Sequence, residues 1–250
     1  MNARLNLPSS VEERISGWVR IQEGYLSGLP ARARLRPTIT LSRQYGCEGV
    51  PLALALQKRM EQAGGEPWTL FDKELIERVA QDERIPPHLL RDLENPAHYL
   101  EQFGFHPRGR VTSDEAFTQI AAHLIQFARA GNAIIIGRGG AILCARLDNC
   151  FHFRLEAGLP WRVDSLARRL GLTPKLAAEQ ERANAHVRER FFREHLGADA
   201  SDRSLYDAVF NNERHGVEAM AAAICGYVQE AWKRTGRAQE RDHVIARVPD

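Results

Sequence analysis

Lysine is scarce in this chain of 250 residues. Lysine and arginine together number 34, and only four of them are lysines: Lys58, Lys73, Lys175 and Lys233. Positive charge therefore comes almost entirely from arginine, whose planar guanidinium suits bidentate recognition of phosphate, although a GC-rich genome produces the same bias. The formal net charge is only +2, so charge alone gives no reason to expect nucleic-acid binding.

Cysteine pairs and long apolar runs are also missing. The four cysteines form no CxxC pair, which argues against a zinc site or a disulfide framework and fits a reducing cytoplasm. The amino-terminal stretch "MNARLNLPSSVEERISGW" lacks the continuous apolar segment of a signal peptide, and no other stretch approaches transmembrane length. We therefore expect a soluble cytoplasmic protein that has no membrane partner.

Residues 1–37 are predicted to form a helical extension and a basic linker. Ser9 or Ser10 caps the helix, and apolar residues recur at helical spacing behind it. They are Val11, Ile15, Trp18, Val19 and Leu26. Such a face packs on the body, on a second copy of the chain in a homodimer or on a protein partner, and the sequence leaves these three alternatives open.

The body, residues 38–232, alternates strands with helices, which predicts an α/β fold with a parallel sheet covered by helices. Its strand candidates are "TITL", "PWTLF", "NAIII" and "CFHFRLEA", and a shorter one precedes the last helix. A capping box at Thr112 and Glu115 begins a strong helix. Residues 82–112, interrupted by prolines and glycines, predict short helices and loops, and the polar tail 233–250 is expected to fray.

Three features fall at the carboxyl edge of this sheet, where ligands bind in parallel α/β folds. They are the glycine turn at 46–49, Asp72 after the second strand and the segment "GRGG" at 137–140. Asp72 has a plain alternative role as a helix N-cap, and Arg138 has one as a surface ion-pair partner. Their coincidence at one edge nevertheless predicts a binding site.

The segment "TITLSRQYGCEGVPLALALQKRM", residues 38–60, has the layout of a phosphate-binding loop: a strand, a turn with two glycines and a helix. The full motif GxxxxGK[ST] is not present. Glu48 stands where a glycine is usual, Gly49 where the lysine is usual and Pro51 where the hydroxyl is usual. A tight structural turn would also explain the glycines. Arg43 keeps the phosphate hypothesis open, because its guanidinium can fork onto phosphate oxygens in place of the lysine.

Arginines are concentrated in the predicted helices of residues 160–200. They are Arg162, Arg168, Arg169, Arg182, Arg188, Arg190 and Arg193. A charged helix pair is usually a solvated face, and the alternative is an arginine-bearing lid that closes over transferring phosphates. Dinucleotide binding at "GRGGAI" is a weaker hypothesis because GxGxxG is absent, and nucleic-acid binding through these arginines is weaker still.

Four segments in order resemble the cytidylate kinase-like proteins of bacteria, relatives of the P-loop nucleoside monophosphate kinases. Members typically show "SRxYGxGG" after a strand, then "YDKELI", "GRG" and "LYDLVLNT". This chain has "SRQYGCEG" at 42–49, "FDKELI" at 71–76, "IIIGRGG" at 134–140 and "LYDAVFNN" at 205–212. The resemblance extends over roughly residues 38–230 and leaves the amino-terminal extension and the tail outside it.

The resemblance implies a P-loop kinase fold in which ATP, with Mg²⁺, donates a phosphoryl group to a nucleotide such as CMP or dCMP. It implies a donor phosphate loop formed by Arg43, Tyr45, Gly46, Cys47, Glu48 and Gly49. Asp72 would orient magnesium or the acceptor, and Arg138 would hold the acceptor phosphate. Arg162 and Arg190 would neutralise charge on the phosphoryl group in flight.

The same resemblance places an acceptor-binding region near residues 73–112 and the lid near residues 160–200. Departures from the family pattern fall at three positions. Glu48 replaces a glycine, Val187 stands where an acidic lid residue is expected, and "GRGG" lacks the aspartate that follows Gly-Arg in cytidylate kinases. Two hypotheses follow: a nucleotide kinase, or a catalytically degenerate nucleotide-binding module whose amino-terminal helix passes the bound state to a partner.

Overall fold

The structure, a computed structural model, describes residues 10–28, 36–72, 75 and 111–245. Its strands are β1 (Thr38–Arg43), β2 (Thr69–Phe71), β3 (Ala133–Ile136), β4 (Cys150–Glu156) and β5 (Ala208–Asn211). Its α-helices are α1 (Val11–Gly28), α2 (Gly49–Gly64), α3 (Val111–Ala130), α4 (Gly140–Leu143), α5 (Leu159–Leu170), α6 (Pro174–Leu196) and α7 (Val217–Ile245). A 3-10 turn at Arg203–Leu205 precedes β5.

The five described strands form one parallel sheet in the order β2-β3-β1-β4-β5. This confirms the predicted α/β fold. Strand β1 lies in the centre, with β3 on one side and β4 on the other, so the direction in which the sheet grows reverses at β1. Ligand crevices in open α/β sheets form at such a reversal, beyond the carboxyl ends of the strands.

Helices cover both faces of the sheet. Ile39 and Leu41 of β1 pack in the cluster that contains α2 and α7. Ala133 and Ile135 of β3 pack in the opposite cluster, which contains α3. With both faces covered, β3 (AIII) is apolar throughout, as is typical of buried parallel strands. By contrast, β1 (TITLSR) and β4 (CFHFRLE) alternate polar and apolar residues.

Helix α1 packs on the body, which is one of the three alternatives that the sequence left open. Ser10 and Glu13 form a capping box: each accepts a hydrogen bond from the other's backbone N–H. Ile15 and Trp18 are buried in the α3 cluster, and the Trp18 ring stands edge-on to Phe127 at 4.7 Å. Burial of each such side chain stabilises the docked helix by about 1.5–3 kcal/mol. The extension is therefore attached beside the edge strand β2.

Helix α7 extends to Ile245, well past residue 232, where the sequence placed the start of a fraying tail. The reason is compositional: the segment contains no proline and is rich in the helix formers Ala, Gln, Glu, Arg and Lys. The expected loops of residues 82–112 lie almost entirely outside the described residues, as do the side chains of Thr112 and Glu115 in the predicted capping box. None of the described helices is long and apolar enough to cross a membrane.

Candidate functional site

A tight loop joins β1 to α2 at the centre of the carboxyl edge. Gly46 has φ +96°, a backbone conformation that glycine adopts readily and other residues rarely adopt. A Cβ atom at Gly46 would lie 2.7 Å from Cβ of Arg162 and 2.8 Å from its carbonyl oxygen. Only a glycine therefore lets the loop rest directly on helix α5.

The Arg43 side chain is enclosed by glycines. A Cβ at Gly137 would lie 2.1 Å from Nη1 of Arg43, and a Cβ at Gly49 would lie 3.1 Å from its Cδ. Both glycines thus leave the room that the guanidinium and its stem occupy. The residue predicted to replace the missing lysine is accordingly held between the loop and the "GRGG" segment.

Three arginines meet at this point. Burial lowers the pKa of Arg43 well below its ordinary value, and the nearby charges of Arg188 and Arg138 lower it further. The pKa of Arg188 is likewise lowered, first by burial, and Arg138 contributes. Arginine keeps its proton near neutral pH, so three like charges lie close together here. Cys47 and Asp72 raise the pKa of Arg43 only as smaller influences.

Arg138 adopts a backbone conformation that is unusual for its type. Its φ is +53°, between Gly137 at +77° and Gly139 at +71°. Such a conformation costs on the order of 1–3 kcal/mol and is concentrated at binding sites. Three consecutive left-handed residues turn the chain sharply after β3 and bring Arg138 to the arginine cluster.

The carboxylate of Glu48 has a hydrogen-bond partner. The backbone N–H of Glu48 donates to Oδ1 of Asn212 (2.7 Å), and Nδ2 of Asn212 donates to Oε2 of Glu48 (3.2 Å). Asn212 is buried and closes the last position of the "LYDAVFNN" segment. The charge of Glu48 also raises the pKa of Arg169, which burial lowers. Glu48 is therefore hydrogen-bonded to Asn212, and its negative charge is partly balanced by Arg169.

The helix pair α5 and α6 is closed on the loop through its arginines. Arg162 Nη1 donates to the Tyr45 carbonyl (3.2 Å) and forms an ion pair with the buried Glu181. Arg169 Nη2 donates to the Gly46 carbonyl (2.6 Å). Both arginines thereby fasten the loop backbone to α5.

Helix α6 adds a third contact of this kind. Arg188 Nη1 donates to the Arg43 carbonyl (3.2 Å), and its guanidinium lies 5.0 Å from the centre of the Tyr45 ring. Gln180 Nε2 donates to the Tyr45 hydroxyl (3.1 Å). The loop carbonyls are thus directed toward the helix pair.

The seven clustered arginines divide between the two roles considered from sequence. Arg162, Arg169 and Arg188 contact the loop, whereas Arg168, Arg182, Arg190 and Arg193 are exposed. The structure does not bring Arg190 to the loop: its Nε lies 3.8 Å from Oε2 of Glu194, and both side chains are 60% exposed. Two residues of helix amount to about 200°, so Arg188 and Arg190 face opposite ways.

Sequence reasoning included Arg169 and Arg188 in the possible arginine-bearing lid without singling them out as site residues, and it assigned no role to Asn212. A signal for the first two exists in the spacing, because Arg169 lies seven residues after Arg162 and Arg188 seven after Glu181. Seven residues are two helical turns, which places each pair on one face. Asn212 ends the matched segment "LYDAVFNN", but the segment does not indicate its partner Glu48, which lies 164 positions away.

Asp72 makes the N-cap contact that was one of the two roles expected for it. Its Oδ1 accepts a hydrogen bond from the Leu75 N–H (2.9 Å), which is the contact of a helix N-cap. The same oxygen accepts from Arg14 Nη1 of helix α1 (3.2 Å). No described residue donates to Oδ2. The Asp72 side chain is 21% exposed, and its negative charge raises the pKa of Arg43, which burial lowers.

Among the described residues no group of three or more His, Cys, Asp or Glu side chains could hold a metal ion. Mg²⁺ in phosphoryl-transfer sites is commonly bound by one or two carboxylates together with substrate phosphates. Oδ2 of Asp72 is a carboxylate oxygen of that kind. The residues present therefore fit Mg²⁺ that arrives with a nucleotide rather than a dedicated protein cage.

Cys47 lies in the loop but is not a nucleophile. Its side chain is 5% exposed, and burial raises its pKa to about 11 although four nearby arginines lower it. The thiol is therefore protonated at neutral pH, and only a thiolate reacts. The described side chains of the site therefore offer charge and hydrogen bonds rather than a cysteine nucleophile.

The body of the chain matches a known protein family. The sequence model of the cytidylate kinase-like family matches residues 38–214, which is well over half of the chain. No curated protein matches the sequence significantly.

Two solved structures resemble the fold. An uncharacterized protein from Eubacterium ventriosum ATCC 27560 superposes with a TM-score of 0.58 at 17% identity, covering 78% of this chain and 99% of that chain. A gluconokinase from Sinorhizobium meliloti 1021 gives a TM-score of 0.39 at 10% identity, covering 84% and 98%, and this low score supports no argument. The first likeness concerns the fold alone. On the extent of the family match, the chain belongs to the cytidylate kinase-like family.

Proposed function

We propose that the protein is a P-loop phosphotransferase that transfers the γ-phosphoryl group of ATP to a nucleoside monophosphate such as CMP or dCMP, or to a related small acceptor. The observation that carries the proposal is the cluster of Arg43, Arg138 and Arg188 at the reversal point of the sheet. Three mutually repelling guanidinium groups beside a glycine loop create a site for several phosphates at once.

In this proposal an oxygen of the acceptor phosphate attacks the γ-phosphorus, the bond to the β–γ bridging oxygen breaks, and ADP leaves. The protein contributes positioning and charge stabilisation rather than covalent chemistry. Arg43 binds donor phosphate oxygens where the usual lysine is missing, and Arg138 binds the acceptor phosphate. Asp72 orients Mg²⁺ or the acceptor, and Mg²⁺, when bound with ATP, neutralises phosphate charge.

The roles predicted for the helix-pair arginines are assigned anew. Arg162 is 13% exposed and Glu181 6% exposed, and their ion pair fastens α5 to the loop. Arg188 reaches the arginine cluster from α6, whereas Arg190 faces solvent. We therefore propose Arg188 as the residue that neutralises charge on the transferred group.

A second candidate, a nucleotide-binding module without turnover, is favoured by one observation. The N–H of Glu48 is used by Asn212, and the N–H of Cys47 donates to the Gln44 carbonyl (3.2 Å). These amides are not directed at a ligand in this arrangement. A loop without these backbone donors depends on arginine side chains for phosphate binding. Arginine contacts suffice to hold a nucleotide but do not orient it for transfer.

The two candidates are separated by incubating the protein with Mg²⁺-ATP and CMP or dCMP and measuring the nucleotides by chromatography. The kinase predicts ADP and a nucleoside diphosphate in equal amounts. Asp72→Asn is expected to abolish turnover and to retain the fold, because its amide oxygen still caps Leu75. ATP binding without any product would instead support the second candidate. Undiminished turnover in Asp72→Asn would remove Asp72 from the mechanism.

A further inference from the structure

Helix α1 contributes a side chain to the carboxyl edge of the sheet. The Arg14 guanidinium donates through Nη1 to Oδ1 of Asp72 (3.2 Å) and to the Leu70 carbonyl (3.2 Å). The Arg14 side chain is 9% exposed. An arginine from the extension is thus buried against the aspartate that ends β2, and it lies outside the residues 38–214 that match the family.

The packing of α1 fixes this arginine in place. Ile15, the next residue, and Trp18, one turn later, are buried in the α3 cluster. The Trp18 ring stands edge-on to Phe71 at 6.4 Å, and Phe71 stacks on Phe127 at 4.6 Å. Phe71 immediately precedes Asp72 in the chain. One turn of α1 therefore anchors both the end of β2 and the carboxylate that follows it.

The hydrogen bonds of Asp72 are divided unevenly between its two oxygens. Oδ1 accepts from Arg14 and from the Leu75 N–H, and no described residue donates to Oδ2. Two donors on one oxygen fix the rotation of the carboxylate, which leaves the other oxygen in a defined direction. Outer partners that orient a ligating carboxylate in this way commonly change activity or metal affinity by about 10–100-fold when removed.

The cost of burying Arg14 argues for more than packing. Its Nε is buried and has no hydrogen-bond acceptor among the described residues. Such an unsatisfied donor is unfavourable and needs a reason to be present. An apolar residue would pack beside Leu70 without that cost, but it would not hold Asp72.

We propose that Arg14 is a positioning residue that presents Oδ2 of Asp72 to the reacting groups, so that the amino-terminal helix completes the site. This inference rests on the proposed phosphoryl transfer. It also gives the extension a function within its own chain, in place of a surface that awaits a second copy or a partner.

The test compares Arg14→Ala, Arg14→Lys, Asp72→Asn and the double variant Arg14→Ala/Asp72→Asn. Arg20→Ala is the matched control, because Arg20 lies on the same helix and its Nε donates only to the Ser16 carbonyl at the surface. Phosphoryl transfer gives kcat and KM, and calorimetry gives ATP affinity with and without Mg²⁺. Thermal unfolding checks that each variant is folded, and Arg14→Lys carries the test should Arg14→Ala not fold.

We predict that Arg14→Ala lowers kcat about 10–100-fold, leaves the KM for the phosphoryl acceptor within about twofold, and reduces the gain in ATP affinity that Mg²⁺ provides. Arg14→Lys, which keeps the positive charge but lacks the planar guanidinium, should restore part of the lost kcat. Because Asp72→Asn is expected to abolish turnover, the double variant is compared by its ATP affinity. The gain in affinity that Mg²⁺ provides should be the same in the double variant as in Asp72→Asn, since Arg14 acts through Asp72. Wild-type values in Arg14→Ala, or a double variant whose gain differs from that of Asp72→Asn, would overturn the inference and leave the proposed function intact. Absence of ATP binding and transfer in the wild type would overturn both.

Discussion

The Asn212 side chain accepts a hydrogen bond from the backbone N–H of Glu48 and donates one to the Glu48 carboxylate, in the loop between β1 and α2. The loop therefore tolerates an acidic residue at a position where glycine is usual. Two like charges about 5 Å apart at an effective dielectric of 20 repel by roughly 3 kcal/mol, so an unrestrained Glu48 would weaken phosphate binding by up to about a hundredfold.

Asn212→Ala should release Glu48 and weaken ATP binding, within that limit of about a hundredfold. Calorimetry measures the effect, and thermal unfolding accounts for any loss of stability at the buried site. Asn212→Ala/Glu48→Gln should recover most of the affinity, because the neutral amide no longer repels phosphate. Wild-type affinity in Asn212→Ala would show that the pairing does not control the charge at the loop.

Gly46→Ala tests the contact between the loop and α5. Gly46 has φ +96° and would place a Cβ 2.7 Å from Arg162, whereas Gly65 has φ +69° and open space around it. Gly65→Ala should lower the free energy of unfolding by about 1–2 kcal/mol from backbone strain alone. Gly46→Ala should cost roughly 1–3 kcal/mol more, because the added methyl overpacks the contact. Equal losses in denaturant unfolding would mean that the loop does not rest on α5.

Arg188→Ala and Arg190→Ala separate the two faces of α6. Arg188 contacts the loop carbonyl and the Tyr45 ring, and Arg190 is exposed. We expect Arg188→Ala to lower kcat/KM for phosphoryl transfer at least about tenfold, because a hydrogen bond from a charged group contributes about 1.5–3 kcal/mol. Arg190→Ala should stay within about twofold. A larger loss in Arg190→Ala than in Arg188→Ala would instead support Arg190, the residue expected from sequence, as the one that neutralises charge on the transferred group.

We predict that His152 makes the folded protein less stable in mild acid. Burial lowers its pKa, and Asp207 opposes this only in part. The Thr40 hydroxyl and His152 Nδ1 share a hydrogen bond of 2.7 Å. Because the folded state favours the neutral ring, its contribution is fully present above the ordinary pKa of about 6.5 and is lost as the pH falls through the lower folded value. His152→Gln should show a smaller fall in Tm between pH 7 and 5, and an unchanged fall would contradict this.

The order of strands and helices could be predicted from sequence because each element carries a local signal. The run "NAIII" gave β3, and the glycine turn after "TITL" gave the loop after β1. Four matched segments identified the family that the comparison then established. These features depend on residues close together in the chain.

The contacts that define the site could not be predicted in the same way. Asn212 lies 164 positions from Glu48, and Arg14 lies 58 from Asp72. Nothing local distinguishes Arg188 from Arg190 except the helical phase of α6, which is set by how that helix packs on the loop. Side-chain pairing over such separations is decided by tertiary packing, and local sequence does not encode it.

Titration calorimetry with ATP, with and without Mg²⁺, tests whether Arg43 binds phosphate in place of the lysine that this loop lacks. We predict micromolar binding in the wild type and a loss of about 10–100-fold in Arg43→Ala, the range expected for a hydrogen bond from a charged group. Arg234→Ala, whose side chain is 78% exposed and pairs with Glu230 on α7, should bind as the wild type does. An ATP affinity of Arg43→Ala equal to that of the wild type, or no binding of millimolar ATP by the wild type, would contradict this role of Arg43.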